Sequence, residues 1–236
     1  MWLVGIDEAG RGPVIGPLAI TIFACKENKV EELLKQGVKD SKLLSSKKRI
    51  ELAKMLGENE SFYSESAVIS AHEIDNYVDS TSLNDLEITY FAKLIDNLPE
   101  HIANDCQIML DACEVNTEKF TQKVSSKLKK FAHKQKISSE NKADLNYIHV
   151  ACASILAKEN REKEVSKIKE ELGLEIGSGY PSDPKTKSAV QVLTKGNLPN
   201  KYLRFSWATT KNAWELNHKS QLKKRDLKYG SQRKLF

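Results

Sequence analysis

The sequence predicts an α/β domain followed by a helical C-terminal extension. Three observations carry that expectation: short β-rich apolar runs alternate with longer runs of helical period, no segment repeats, and no Gly/Ser linker divides the 236 residues. Hydrophobic residues make up 40% and charged residues 29% of the chain, the usual mix of a soluble globular protein with a full core. No uncharged apolar stretch of about 18 residues occurs, and no charged-then-apolar leader opens the chain. A cytoplasmic protein with no membrane partner is therefore expected.

Two β-rich runs, Trp2 to Ile6 and Leu18 to Phe23, flank a loop rich in glycine and proline between Gly12 and Pro17, which reads as strand, loop, strand. Leu43 to Gly57 keeps helical spacing through Ile50, Ala53 and Leu56, with Ser45 or Ser46 as a cap and Gly57 as a stop. Phe62 to Ser70 alternates as a strand does. Asn84 to Leu98 places Leu86, Tyr90, Leu94 and Leu98 four apart ahead of Pro99, the pattern of a helix and its terminator. Gln107 to Leu110 reads as a buried strand ending at Asp111, and Thr117 to Phe131 as a basic amphipathic helix. After a loop from Ser138 to Lys142, the longest helical pattern runs from Asp144 to Leu172, apolar first and charged later. A turn-rich loop from Gly177 to Pro184 leads into a basic helical remainder in which Trp207 and Trp214 share one face.

Cys25, Cys106, Cys113 and Cys152 form no C-x-x-C pair and no zinc pattern, so four buried thiols are expected. The net charge of +5 conceals a partition. From Lys185 onward there are 13 Lys and Arg against two acids, a charge of +11, while the first 184 residues carry −6. A basic end suits a polyanion, and it equally suits a solubilising tail.

Asp7 and Glu8 follow one apolar run and Asp111 ends another. Side chains at the C-terminal ends of neighbouring strands converge on one crevice, where several carboxylates need a compensating charge such as a hard divalent cation. Asp144, opening the long helical pattern, is a further candidate. Each has a plainer reading: Asp144 as a helix N-cap, Asp111 as a turn residue, and Asp7-Glu8 as turn chemistry before Ala9-Gly10-Arg11-Gly12. The Gly10-Arg11-Gly12 triplet lets backbone approach a ligand while Arg11 offers a planar donor fork. Tyr180, amid turn residues, reads as an exposed ring able to stack on a sugar or base, or as a cover for the core edge.

Taken together, the motifs resemble ribonuclease HII. Gly5-Ile6-Asp7-Glu8-Ala9-Gly10-Arg11-Gly12-Pro13-Val14-Ile15-Gly16-Pro17, Asp40-Ser41-Lys42, Leu110-Asp111-Ala112, Lys142-Ala143-Asp144, Ala153-Ser154-Ile155-Leu156-Ala157-Lys158 and Gly177 to Pro184 occur in that family's order. The 33-residue separation of Asp111 and Asp144 is similar to the archaeal branch. Arg11, and a catalytic strand at the very start, set the chain apart from ribonuclease HIII.

The resemblance implies a ribonuclease H-like fold, a mixed central sheet flanked by helices, with residues 1–205 catalytic and 206–236 a basic helical extension and tail. It implies a two-metal site of Mg²⁺ or Mn²⁺ on Asp7, Glu8, Asp111 and Asp144, with Gly10, Arg11, Gly12 and Tyr180 recognising the ribonucleotide and Lys42 contacting phosphate. The implied activity is endonucleolytic hydrolysis of RNA in RNA/DNA hybrids and incision 5′ of single ribonucleotides in duplex DNA, leaving 5′-phosphomonoesters, by a monomer. Gln232, Leu235 and Phe236 resemble the start of a sliding-clamp binding peptide cut short. Two competing classes are another nuclease or recombinase of similar fold and a non-catalytic nucleic-acid binder.

Overall fold

The computed structural model describes residues 1–130 and 136–225. In chain order the elements are β1 (Trp2–Ala9), β2 (Leu18–Lys26), α1 (Val30–Lys35), α2 (Ser46–Glu58), β3 (Tyr63–Ile69), α3 (Ala71–Ser80), α4 (Leu83–Asp96), α5 (Glu100–Ala103), β4 (Cys106–Asp111), α6 (Thr117–Lys127), β5 (Lys136–Glu140), α7 (Ala143–Asn146), α8 (Ile148–Leu172), α9 (Pro184–Leu193) and α10 (Ala208–His218). The five strands form one mixed sheet of order β3-β2-β1-β4-β5. β1 runs antiparallel to β2 and parallel to β4, and β4 runs parallel to β5. This is the mixed sheet with flanking helices that the resemblance implies. No helix among the described residues is long and apolar enough to cross a membrane.

The chain packs as two compact units, each assembled from separated segments. The first comprises Met1–Ala9, Ala19–Val68 and Glu87–Asn160 and contains nearly all of the sheet. Its core joins Phe23 and Cys25 of β2 to Leu33 of α1, Leu52 and Leu56 of α2, and the small residues Ala151, Cys152 and Ala153 at the start of α8. Those small residues allow close approach, and Gly5 of β1 takes it furthest: a Cβ there would lie 2.4 Å from the His149 carbonyl oxygen and 2.5 Å from the Val150 nitrogen. The apolar first half of the long helical pattern is thus the buried half, as its composition suggests.

The second unit comprises Gly10–Leu18, Ile69–Leu86 and Arg161–Phe236. Its core gathers Val14, Ile15, Val165, Ile168, Ile176, Ala189, Val190, Leu203, Phe205 and Ala213. α3, absent from the sequence expectation, begins with a reciprocal cap in which the Ser70 hydroxyl accepts from the Glu73 amide and the Glu73 carboxylate accepts from the Ser70 amide. A buried Asp75 on this helix receives the amides of Phe205 and Ser206 and the Nε of Arg225 at 2.9 Å. Arg225 also donates to the Lys201 and Leu203 carbonyls. Two of the 13 basic residues counted in the C-terminal stretch, Arg204 and Arg225, are therefore buried scaffold rather than surface charge.

Several local expectations change. The loop expected from Ser138 to Lys142 is largely β5, because Ser139 satisfies its hydroxyl with Thr121 and the Thr117 carbonyl and so lies in the sheet without cost. The long helical pattern breaks at Tyr147, leaving Asp144 in the short α7. Gly57 lies inside α2, which ends at Glu58 with Asn59 as its C-cap, and α6 stops at Lys127. Trp207 is the N-cap of α10, so it does not share a helix face with Trp214. Cys25, Cys106 and Cys152 are buried, whereas Cys113 is only half-buried.

Candidate active site

β1 and β4 are adjacent and parallel, with Gly5 opposite Met109 and Ile6 opposite Leu110. The next residue of each strand is an aspartate, Asp7 and Asp111, so two carboxylates emerge side by side at the C-terminal edge. Asp7 is buried; its Oδ1 accepts from the Glu8 amide at 2.6 Å, and its carboxylate receives the Ser154 hydroxyl. Asp111 Oδ1 accepts from the Ala143 amide at 2.8 Å, which ties the start of α7 to the end of β4. That tie, with Lys142 in the left-handed region at φ 60° as N-cap, brings Asp144 in as a third acid. Asp144 is not the N-cap, so the capping reading of this residue falls. It is buried, and its Oδ1 has no hydrogen-bond partner among the described residues.

Burial and mutual repulsion raise the carboxyls of Asp7 and Asp111. Burial first, then the charges of Asp111 and Asp144, raise the Asp7 carboxyl from the usual 3.8 to about 8. Asp111 is raised as well, by burial and by Asp144, against the pull of the Ala143 amide, a shared hydrogen bond with Asp7, and Lys42. Lys42 is exposed, with Nζ 3.9 Å from Asp144 Oδ2. Behind the acids the Lys158 ammonium donates to the Ser41 hydroxyl, which lies 2.9 Å from the Ser154 hydroxyl. Lys158, Ser41 and Ser154 thus form a chain that ends on Asp7.

The acids fit a hard divalent cation. All donors are oxygens, their charge is under-compensated, and one buried oxygen lacks a partner. Among the described residues no three His, Cys, Asp or Glu side chains already converge as a closed ligand set. Glu8, half-buried, follows Asp7 on β1.

In the second unit the Gly10-Arg11-Gly12 loop is held by residues far along the chain. The buried Arg204 guanidinium donates to the Gly10 carbonyl at 2.6 Å, the Arg11 carbonyl at 2.8 Å and the Gly16 carbonyl at 3.1 Å. Trp207 Nε1 donates to the Gly12 carbonyl at 3.2 Å. Arg161 occupies the space a side chain at residue 10 would need, its Cδ only 2.5 Å from where a Cβ would stand; Gly10 also has φ +95°. The Arg161 guanidinium donates to the Ser178 carbonyl and lies 5.4 Å from the centre of the Tyr180 ring. Tyr180 is 40% exposed, and its Cε1 is 3.4 Å from a Cβ built on Gly12. The ring therefore lies against residue 12, where a Cβ would just touch it. Arg11 donates to Asn84 Oδ1 at 2.5 Å.

The family model for ribonuclease HII matches residues 4–210. The chain belongs to the ribonuclease HII family. It is 40% identical over 231 residues to the ribonuclease HII of Methanocaldococcus jannaschii, covering 94% of this chain and 99% of that protein. Among solved structures it is similar to ribonuclease H2 from Pyrococcus horikoshii, at TM-score 0.81 and 35% identity, with 93% of this chain and 100% of that one covered. The ribonuclease HII in the PCNA complex from Archaeoglobus fulgidus matches at TM-score 0.76 and 34% identity, over 89% of this chain and 96% of that one. As a ribonuclease HII the chain is an endoribonuclease, a hydrolase of the ribonuclease H class.

Of the expected site residues, Asp7, Asp111, Asp144 and Lys42 are brought together, with Glu8 next to Asp7 on β1. Gly12 and Tyr180 meet in the second unit. Gln232, Leu235 and Phe236 lie outside the described residues. Sequence reasoning assigned no role to Ser41, Ser154 and Lys158, although they sit in motifs that the ribonuclease HII resemblance quotes. Nor did it reach Arg161 and Arg204, which local pattern marks only as charged residues; their carbonyl partners are remote in sequence.

Proposed function

We propose that the chain cleaves the RNA strand of RNA/DNA hybrids and incises 5′ of single ribonucleotides in duplex DNA, using Mg²⁺ or Mn²⁺ held by Asp7, Glu8, Asp111 and Asp144. The observation that carries this reading is the meeting of buried Asp7 and half-buried Asp111 on adjacent strands with buried Asp144 of α7, with a raised Asp7 pKa and an unpartnered Asp144 oxygen. Such a group is costly unless protons or cations neutralise it. When bound, two cations supply an activated water and stabilise the departing 3′ oxygen.

The chain's own residues do the rest. Ser154 and the Glu8 amide hold Asp7 in one orientation. The Ala143 amide does the same for Asp111. Lys42, exposed beside Asp144, is suited to a substrate phosphate. Gly10, Arg11 and Gly12 offer backbone and a guanidinium fork to the ribonucleotide, and the Tyr180 ring offers a face to its sugar. Cleavage then leaves a 5′-phosphomonoester. Residues 1–205 carry every one of these positions, and the basic extension from residue 206 adds attraction for the duplex backbone. The Archaeoglobus fulgidus complex supports a sliding clamp as partner, with Gln232, Leu235 and Phe236 as the contact. We take the enzyme to act as a cytoplasmic monomer.

The test is a labelled duplex with one ribonucleotide, a continuous hybrid and an all-DNA control, each with EDTA, Mg²⁺ or Mn²⁺. Cleavage 5′ of the ribonucleotide only with metal, and none of all-DNA, is expected; Asp111→Asn should bind the duplex without cutting it. Equal cleavage of all-DNA, or full activity in EDTA, would overturn the reading.

A further inference from the structure

The hydrogen bonds of Arg204 fix more than the position of the glycine loop. A trans peptide sets its C=O and N–H in opposite directions, and no peptide bond among the described residues is cis. The Gly10 carbonyl points at Arg204, so the Arg11 amide of the same peptide plane points away from it. The Arg11 carbonyl also points at Arg204, so the Gly12 amide points away too. Two consecutive N–H groups are thereby turned to the side of the loop opposite the guanidinium. Trp207, whose ring lies 4.7 Å from the Arg204 guanidinium, adds a bond to the Gly12 carbonyl and so holds the following peptide, whose Pro13 nitrogen carries no N–H. Arg204 is fully buried and cannot touch a ligand itself.

Carbonyls in an ordinary turn are met singly, by local amides or by water. Three carbonyls of one loop converging on one cation instead specify the rotation of each peptide, and a guanidinium fork has the planar donors to do so. A lysine could reach one or two of them but not impose the plane.

We propose that Arg204, backed by Trp207, is a positioning residue for ribonucleotide recognition: it aims the Arg11 and Gly12 amides at the 2′-hydroxyl oxygen of the ribose. The inference rests on the assignment of Gly10, Arg11 and Gly12 to ribonucleotide recognition made above and names what orients them.

The experiment is equilibrium binding in EDTA, where no cleavage is expected, to a duplex with one ribonucleotide and to the same duplex made wholly of DNA. Arg204→Lys should reduce the preference for the ribonucleotide about tenfold, and Trp207→Phe, which keeps the ring and loses one bond, about threefold. Affinity for all-DNA should stay at the parent value in both. Equal loss on the two duplexes, or a lowered melting temperature with the preference intact, would overturn the inference and leave Arg204 as scaffold. Should Arg204→Lys fail to fold, Trp207→Phe decides by the same readout. Gly12→Ala separates the two levels of the argument. If it abolishes the preference while the other variants keep it, only the inference falls; if the parent has no preference or Gly12→Ala leaves it untouched, the recognition assignment falls and takes the inference with it.

Discussion

Replacing Asp7 by Asn should make the metal-free protein more stable at pH 8. Burial, followed by the charges of Asp111 and Asp144, raises this carboxyl from 3.8 to about 8. The unfolded chain releases the proton near pH 4, whereas the folded chain keeps it. Between those values the folded state binds the extra proton, so its stability falls as pH rises; below about pH 4 the effect vanishes, and above about pH 8 it is complete. A rise of about four pH units at ~1.4 kcal/mol each sets a ceiling of ~6 kcal/mol. Because Asp7 and Asp111 share a hydrogen bond and titrate together, about half of that, ~3 kcal/mol, is expected from the single substitution. The Asn oxygen still accepts from the Glu8 amide, so shape and local bonding persist. For a chain of this size ~3 kcal/mol corresponds to roughly 6 to 12 °C. Thermal unfolding in EDTA, followed across the acid-to-neutral range, should give curves that coincide at the acid end and separate toward pH 8. Added Mg²⁺ should raise the parent more than the variant. A variant no more stable than the parent at pH 8, or a difference independent of pH, would refute the account of the buried acids.

Gly5→Ala drives a methyl group into the His149 carbonyl, which is backbone and cannot swing aside, so a loss of ~1 to 3 kcal/mol is expected in a denaturant titration; an unchanged midpoint would mean that β1 and α8 can part freely. Arg225→Ala leaves the buried Asp75 without its guanidinium and should cost ~3 kcal/mol or more, read from chemical unfolding, with near-parent stability as the contrary result. Removing the chain after Trp214 would therefore damage the second unit, and the clean probe of phosphate contacts is Lys219, Lys223 and Lys224 changed together to Ala, which should flatten the salt dependence of binding. Tyr180→Ala should slow cleavage at a single ribonucleotide about ten- to a hundredfold through loss of a stacking contact of ~1 to 3 kcal/mol, while Tyr180→Phe stays near the parent; parent-like rates in the alanine variant would return the ring to the scaffold.

The sequence by itself determined the strands that end in acids, the main helices and the ribonuclease HII family, because these are written in local terms: apolar period, turn residues, and fixed motifs. It placed Asp7 and Asp111 at strand ends without knowing that the strands are neighbours, and only the parallel register of β1 and β4 made them a pair. β5 escaped it because Lys136 to Glu140 carries one apolar residue, and its polar side chains are acceptable in a sheet only where Thr117 and Thr121 stand ready to bond them. Asp144 looked like a cap because acids often open helices; the Ala143 amide, already bound to Asp111, turned it into a site residue instead. Charge counting failed most plainly at Arg204 and Arg225, which tally with the surface lysines in the sequence yet are buried in the structure. Their burial depends on carbonyls and a carboxylate that lie 22 to 194 residues away along the chain, and no local pattern records where such acceptors come to rest.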